Sequence, residues 1–473
     1  MTKSLDESLS YFRDKISDCI KSKKSIFVTT HIDCDGLTSG SIITKALIRT
    51  GANCTVRTSK EFNKNIAKSF KTDSRDFHVV TDLGGGFASE LDSTLGDNWV
   101  VLDHHQIPDK EMDNQNVINA WKYGIDGGVE ICAGGMAYLA SMALDEKNSD
   151  LSAIAIVSAL GDRQDQGEKK SFTGKNFDIA NTAKEQGLVD IDLDLLLVGR
   201  ETRPLPDALA FTSQPFIEGL TWNRDACLSL LNSSGIKLKE DGRWRVPAEL
   251  NEEEKRQVIE SITKFTSGKN ATEIMSELIG YTYTFPREDN RSFLRDGREF
   301  STMLNSCGRI NRSGVGMAIC MGDRNKILRE GETILTEYRK MIREYMSILS
   351  NERWRISESK TCIMVNGEDI VPETMTGTIS SLIAGSPKNS GKIVILRTKG
   401  EENTMKFSSR KSFGCNLDIN LSEIMRVGAE RFNGIGGGHN AAAGAKITKD
   451  KLDEFLNYLE VNVVNVSSTS SSQ

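Results

Sequence analysis

The chain carries five histidines, at 31, 78, 104, 105 and 439, and two of them are adjacent. His104 and His105 follow Asp103 at the end of Val100-Val101-Leu102, an apolar run that reads as a buried strand. Open α/β sheets bind ligands outside the carboxyl ends of their strands. An acid and two imidazoles delivered there can ligate a cation or handle a proton. A second delivery is His31-Ile32-Asp33-Cys34-Asp35-Gly36, directly after the β-rich run at 25–30. In an extended segment residues 31, 33 and 35 share a face, so one imidazole and two carboxylates would converge. Gly36 would then permit the turn into a helix starting near Leu37. Asp82 closes Val79-Val80-Thr81, and three glycines at 84–86 keep the space above it open. Asp162 follows the apolar run 153–160, whose periodicity suits a strand or a helix.

Four segments in about the first third of the chain thus end in Asp, and two of them add His. His and Asp without a cysteine partner favour a hard-to-borderline divalent cation such as Mn2+ or Mg2+. Six or so ligands are too many for one ion and suit two ions sharing a bridging carboxylate. Such paired ions, ~3.5–4 Å apart, activate water and stabilise both oxygens of an in-line phosphoryl displacement.

The elements that must position these residues belong to a large chain. At 473 residues it exceeds what one core usually supports, so two or three domains are expected. A hydrophobic content of 38% with 27% charged residues points to a globular protein. There is no apolar run long enough for a membrane span and no apolar leader core after Met1, so a cytoplasmic location is expected. Nine cysteines lie scattered without CxxC spacing, which favours reduced thiols over a zinc knuckle or disulfide framework. A net charge of −6 argues against non-specific coating of nucleic acid and leaves room for a local basic groove.

In chain order, apolar spacing predicts helices over 5–22, 134–144, 223–235 and 251–266, with a polar, flexible stretch at 165–175. Arg295, Arg298 and Arg309 either touch a nucleic-acid backbone or pair with Asp296 and Glu299, and internal pairing is preferred. A long charged helix is predicted over 322–352. Beyond it, strands are expected at 363–365, 391–396 and 405–408, with a short helix at 377–384. Ser408-Ser409-Arg410-Lys411-Ser412 places two cations and several hydroxyls after a strand, and Arg is the planar, bidentate phosphate reader. Residues 434–444 read as a glycine-rich loop before a small-residue helix, and the backbone N–H groups of such a loop can cradle phosphate. The tail at 467–473 reads as disordered.

Taken together, HIDCDG, VVTDLGGG, VVLDHHQ and SALGDRQD resemble motifs I to IV of the DHH phosphoesterase superfamily, in the family's order. The middle of the chain resembles the archaeal RecJ-like branch, the type of nuclease associated with GINS. SSRKS together with GIGGGHNAAAG resembles the DHH-associated C-terminal domain. The resemblance implies an α/β protein with a parallel-sheet catalytic domain at 1–200 and a mainly helical inserted module, with a return to the core, at 201–321. It further implies a connecting helix at 322–352, a smaller α/β substrate domain at 353–462 and a disordered tail at 463–473. His31 and Asp33 would hold a first divalent ion and Asp35 a second. Asp82 would bridge, while His104 and Asp162 would complete the second ion's shell. Asp103 would orient a neighbouring imidazole and His105 would face the substrate phosphate. Ser408, Arg410, Gly436, Gly437, Gly438 and His439 would bind the strand. The implied activity is a two-metal, single-strand-specific exonuclease, with Mn2+ preferred to Mg2+, acting on DNA or RNA. Partners would come from GINS and the replicative helicase, in replication or repair. Alternatives are a helicase accessory subunit with little catalysis, or an enzyme for short oligonucleotides, cyclic dinucleotides or pyrophosphate.

Overall fold

The computed structural model describes residues 4–70, 76–266 and 271–464. The chain divides into two compact units, Met1–Leu335 and Thr336–Gln473.

In the first unit, β1 (Ser25–His31), β2 (Cys54–Ser59), β3 (Asp76–Thr81), β4 (Trp99–Asp103) and β5 (Val117–Asn119) form a parallel sheet. Its order is β2-β1-β3-β4-β5. The strands read as nearly continuous apolar runs because both faces are covered. Val28, Val79, Val100 and Leu102 pack with the helices Leu5–Lys21 and Ala133–Leu144. The alternate residues Val80 and Val101 face the helix Ala88–Leu95. The opening helix carries a reciprocal cap, with Ser4 and Glu7 each bonding the other's backbone N–H.

The apolar run at 153–160 is helical: the helix Ser152–Gly161 is apolar on nearly every side because it is buried there. It packs on the helix Cys34–Arg49. From there the chain leaves the sheet. β6 (Asp190–Leu195), a small hairpin of β7 (Lys239–Glu240) and β8 (Arg243–Trp244), and β9 (Ile279–Thr284) follow, with β6 and β9 antiparallel. Residues between β6 and β9 build a core of their own from Leu205, Leu209, Leu231, Val258 and Ile262, carried partly by the helices Arg224–Ser233 and Glu252–Phe265. The chain then returns. The helices Gly297–Arg309 and Ser313–Met321 lay Leu304, Cys307 and Ile319 against Leu37 and Leu160. A 26-residue helix, Lys326–Asn351, leads into the second unit.

That unit is a six-stranded mixed sheet of β10 (Ile356–Glu358), β11 (Cys362–Asn366), β12 (Ile393–Lys399), β13 (Thr404–Lys411), β14 (Ile435–His439) and β15 (Ala442–Thr448). Its order is β10-β11-β12-β13-β15-β14. The glycine-rich segment therefore departs from expectation: 434–444 is a β-hairpin at the sheet edge, not a loop leading into a helix. Small side chains are needed there because the helix Leu421–Arg431 crosses closely. A Cβ on Gly436 would stand 2.1 Å from the Met425 carbonyl oxygen. Of the expected tail, Val463 and Val464 belong to a helical turn, and 465–473 lie outside the described residues.

Candidate metal centre

β1 and β3 lie side by side where the strand order reverses, the place in such a sheet where a crevice opens. His31 ends β1 and Asp82 follows β3. Nδ1 of His31 stands 2.9 Å from Oδ2 of Asp33 and 3.5 Å from Oδ2 of Asp82. Nε2 of His104, just past β4, stands 3.3 Å from Oδ2 of Asp35 and 3.4 Å from Oδ1 of Asp82. Asp162 approaches the same imidazole at 3.8 Å. Donor atoms of His31, Asp33 and Asp82 form one group, and those of Asp35, His104 and Asp162 another. Asp82 turns one oxygen to each.

Residues 31, 33 and 35 meet by a different route from the expected alternation. The strand stops at His31, Asp33 caps the next helix, and Asp35 already lies in its first turn. Asp33 gives Oδ1 to the Gly36 N–H at 3.1 Å and keeps Oδ2 toward His31, while Asp35 swings into the other group. Gly36 is required for close approach, since a Cβ there would lie 2.4 Å from the His31 carbonyl oxygen.

Asp35 sits at the N-terminus of the helix Ala133–Leu144, accepting from the Ala133 and Gly134 amides at 2.9 and 2.8 Å and from the Ser158 hydroxyl. Burial, with Asp82 nearby, still pushes its carboxyl up to about 7. Burial raises Asp162 as well. Burial would lower His31, but Asp33 and Asp82 outweigh it and lift the imidazole to about 10. Burial would also raise Asp33, yet His31 and then Arg309 hold it well below the usual carboxylate range. Asp82 itself has φ 61°, a left-handed backbone held by its N–H to the Leu102 carbonyl at 3.0 Å.

Asp103 and His105 also gather with Asp82 and His104, but the oxygens of Asp103 are already engaged. Its Oδ1 accepts from the amides of His104 (2.8 Å) and His105 (3.2 Å) and from His105 Nδ1 (2.9 Å), and its Oδ2 from the Gly85 amide at 3.0 Å. The His105 ring is thereby fixed while half its surface stays open to solvent. The His104 ring is fixed differently. Nδ1 lies 2.6 Å from the Gly127 carbonyl oxygen, and a carbonyl can only accept, so Nδ1 carries a proton and Nε2 is the nitrogen left facing Asp35 and Asp82.

Sequence reasoning missed the residues that brace this arrangement. Gln164 is fully buried and donates Nε2 to both Asp162 (2.8 Å) and the Gly127 carbonyl (2.8 Å), while its Oε1 accepts from Asn176 at 2.6 Å. Ser158 and Gly134 hold Asp35. None of these stands out in sequence except through nearness to a motif Asp.

The donor set fits a divalent cation. Nε2 of His104, in one group, and Oδ2 of Asp82, facing the other, are buried without a hydrogen bond, which is costly unless a ligand reaches each of them. Carboxylate oxygens and imidazole nitrogens without thiolate suit Mn2+ or Mg2+.

Residues 25–161 match the model described as DHH family, N-terminal domain. Residues 197–279 match the DHH-CID domain and 361–465 the DHHA1 domain. An uncharacterized protein of Methanocaldococcus jannaschii is 30% identical over 458 residues, 94% of this chain and 95% of that one. The chain belongs to the DHH family.

Solved structures similar to this DHH protein include RecJ of Thermus thermophilus in complex with Mn2+ (TM-score 0.58, 15% identity, 96% of this chain). This chain spans 54% of that RecJ. Cdc45 of Entamoeba histolytica gives TM-score 0.63 at 13% identity, over 96% of this chain and 98% of its own. An exonuclease RecJ bound to manganese gives 0.55 at 16% identity, over 98% and 94%. These likenesses establish a shared fold.

The DHHA1 unit carries the remaining expected residues. Ser408 is buried with its hydroxyl 3.0 Å from that of Ser380. Arg410 donates to the Ser381 hydroxyl (3.0 Å) and the Ser409 carbonyl (2.8 Å). Gly436, Gly437 and Gly438 lie in the edge strand β14, and His439 ends it. Arg410 and His439 share one end of the sheet, both in register with Ala442. Arg295 and Arg298 pair internally, though with other partners than expected, and Arg309 acts on Asp33. Arg298 pairs with Asp165 at 2.6 Å, and Arg295 bonds the Glu288 carbonyl at 2.7 Å. Asp296 instead caps the helix Gly297–Arg309, and Glu299 receives the Glu201 amide and the Thr202 hydroxyl.

Proposed function

We propose that this DHH protein is a divalent-metal phosphodiesterase that removes nucleotides from the end of single-stranded DNA or RNA. The carrying observation is the Asp82 carboxylate, with one oxygen toward His31 and the other toward His104. On this reading His31 and Asp33 would hold one cation, Asp35, His104 and Asp162 would hold the other, and Asp82 would serve both. Two such ions, Mn2+ or Mg2+, supply water activation and charge neutralisation for in-line displacement at phosphorus.

The chain's own residues do the rest. The proton on Nδ1 of His104 is committed to Gly127, so this imidazole ligates and does not relay protons. His105, held by Asp103 and half exposed, offers its free edge to the incoming phosphate. Burial and His104 would lower its pKa, but Asp103 outweighs them and raises it, which favours the donor form. In the substrate domain, read as 353–462, Arg410, the β14 glycines at 436–438 and His439 bind the strand, and Ser408 acts by holding Ser380. Replication partners, with GINS and helicase components foremost, belong to the same reading, which draws on the Cdc45-like fold.

A second reading, a helicase accessory subunit with little catalysis, draws on the Cdc45-like fold along nearly the whole chain. The complete set of cation donors favours the enzyme. End-labelled single strands, DNA and RNA, incubated with Mn2+ or with chelator, decide between them. Stepwise nucleotide release that requires metal and is lost in Asp82→Ala supports the exonuclease. Cleavage of dinucleotides alone points to a small-substrate enzyme, and inertness toward every substrate to the accessory subunit.

A further inference from the structure

Beside the helix Gly174–Glu185, which braces Gln164 through Asn176, lies a cleft that the metal centre does not use. It encloses about 360 Å3 between that helix, β6 and β9. Phe172 and Tyr283 form its floor, their ring centroids 4.6 Å apart. Tyr281 and Phe177 line its walls, and Phe177 is 50% exposed although it is a large apolar ring. Along the helix, Phe177, Asn181 and Lys184 recur at a spacing that puts them on one face. Lys169, from the segment before the helix, also lines it. Neither Lys169 nor Lys184 has an ion-pair or side-chain hydrogen-bond partner among the described residues, whereas their neighbours Lys170 and Lys175 are paired to Glu277 and Asp178. One acid, Glu168, also lines the cleft, so cations outnumber it.

We propose that this cleft is a base-stacking subsite for the single strand whose end is processed at the metals. Aromatic rings give a base its π-face, Asn181 offers an amide to a base edge, and the two free ammonium groups meet the flanking phosphates. A peptide would find the aromatic rings but would not call for two unpaired cations beside them. The helix itself joins cleft and centre: Asn176, one residue before Phe177, bonds Gln164, which bonds Asp162. The subsite explains how bases are held without sequence readout, since stacking is open to every base.

The proposal rests on the nuclease reading, and its test separates the two. Binding of a long fluorescent oligothymidylate is measured by anisotropy in an Asp82→Ala background, and dinucleotide cleavage in the otherwise native chain. Phe177→Ala is expected to weaken strand binding about tenfold and to leave dinucleotide cleavage unchanged. Lys184→Glu should act in the same direction, and Phe177→Trp should restore binding, which excludes misfolding as the cause. Strand binding unaffected by Phe177→Ala and Lys184→Glu, with cleavage intact, overturns the subsite alone. So does loss of binding confined to free thymidine monophosphate, which would make the cleft a nucleotide site instead. A chain that binds no strand and cleaves no dinucleotide removes both readings.

Discussion

Oδ1 of Asp82 lies 3.4 Å from Nε2 of His104, and that nitrogen has no hydrogen-bond partner. With Nδ1 of His104 committed to Gly127, its Nε2 edge and the Asp82 carboxylate face each other in a buried space, and although burial would lower it, Asp82, Asp162 and Asp35 raise the imidazole's pKa well above its ordinary value. Such a pair is stable when a cation, or failing that a proton, lies between them.

Replacing Asp82 by Asn keeps the shape and removes the shared charge. Calorimetric titration with Mn2+ should then show a loss of at least one of two sites. Strand cleavage should fall at least about a hundredfold. Two unchanged Mn2+ sites in the variant would refute the shared-carboxylate arrangement.

The metal-free centre stores protons that a cation must displace. His31 titrates at about 10 because Asp33 and Asp82 outweigh burial. Its folded pKa is above the unfolded value of about 6.5. Its stabilising contribution is therefore complete below about pH 6.5 and is lost as pH rises through about 10. Mn2+ binding at about pH 8 should release at least one proton, and affinity should strengthen as pH rises toward about 10. Titrations in two buffers of different ionisation enthalpy give the proton count directly, and a count of zero would contradict the ligand assignment of His31.

Gln164 touches no expected cation, yet it fixes both the Asp162 carboxylate and the carbonyl that sets the His104 tautomer. Gln164→Ala should lower metal affinity or turnover by roughly 10–100-fold, with an unaltered far-ultraviolet spectrum. Supplying excess Mn2+ should recover part of the loss. A purely structural role would lower the melting temperature without that rescue.

Arg298 and Arg410 should separate cleanly. Arg298→Ala breaks the pair with Asp165, and a loss of about 1 kcal/mol in folding stability with unchanged strand affinity is expected. Arg410→Ala should raise the KM for a single strand about tenfold with little change in stability. Equal effects of the two on KM would place Arg298 in the substrate path.

The donors at 31–35, 82 and 103–105 were legible because each group stands at a strand end, whereas Asp162 follows a helix. The parallel sheet was legible because buried strands read as unbroken apolar runs. Periodicity alone could not decide the segment before Asp162, since a helix buried on nearly every side loses its polar stripe. The hairpin at 435–448 was misread because glycine and alanine carry no strand signal, and its pairing is imposed by β13 and the crossing helix. Gln164 and Ser158 lie within SALGDRQD, but their bracing roles were not legible, because these depend on partners 2.8 Å away across the fold or closer.

The loop bearing Asp33 and Asp35 is finished by the helix Gly297–Arg309. The Cys34 amide donates to Oδ1 of Asn305, 271 positions later, and a Cβ on Gly308 would stand 1.6 Å from the Ile32 carbonyl oxygen. Closing so long a loop costs little more entropy than closing a shorter one, but contacts this distant in sequence form slowly. On the ribosome every acid and imidazole of the centre emerges long before the helix that seats the first of them. Until that helix is made, Leu37 and Leu160 lack their cover. The order of synthesis therefore delays the assembly of this donor cluster until the whole inserted segment has been made.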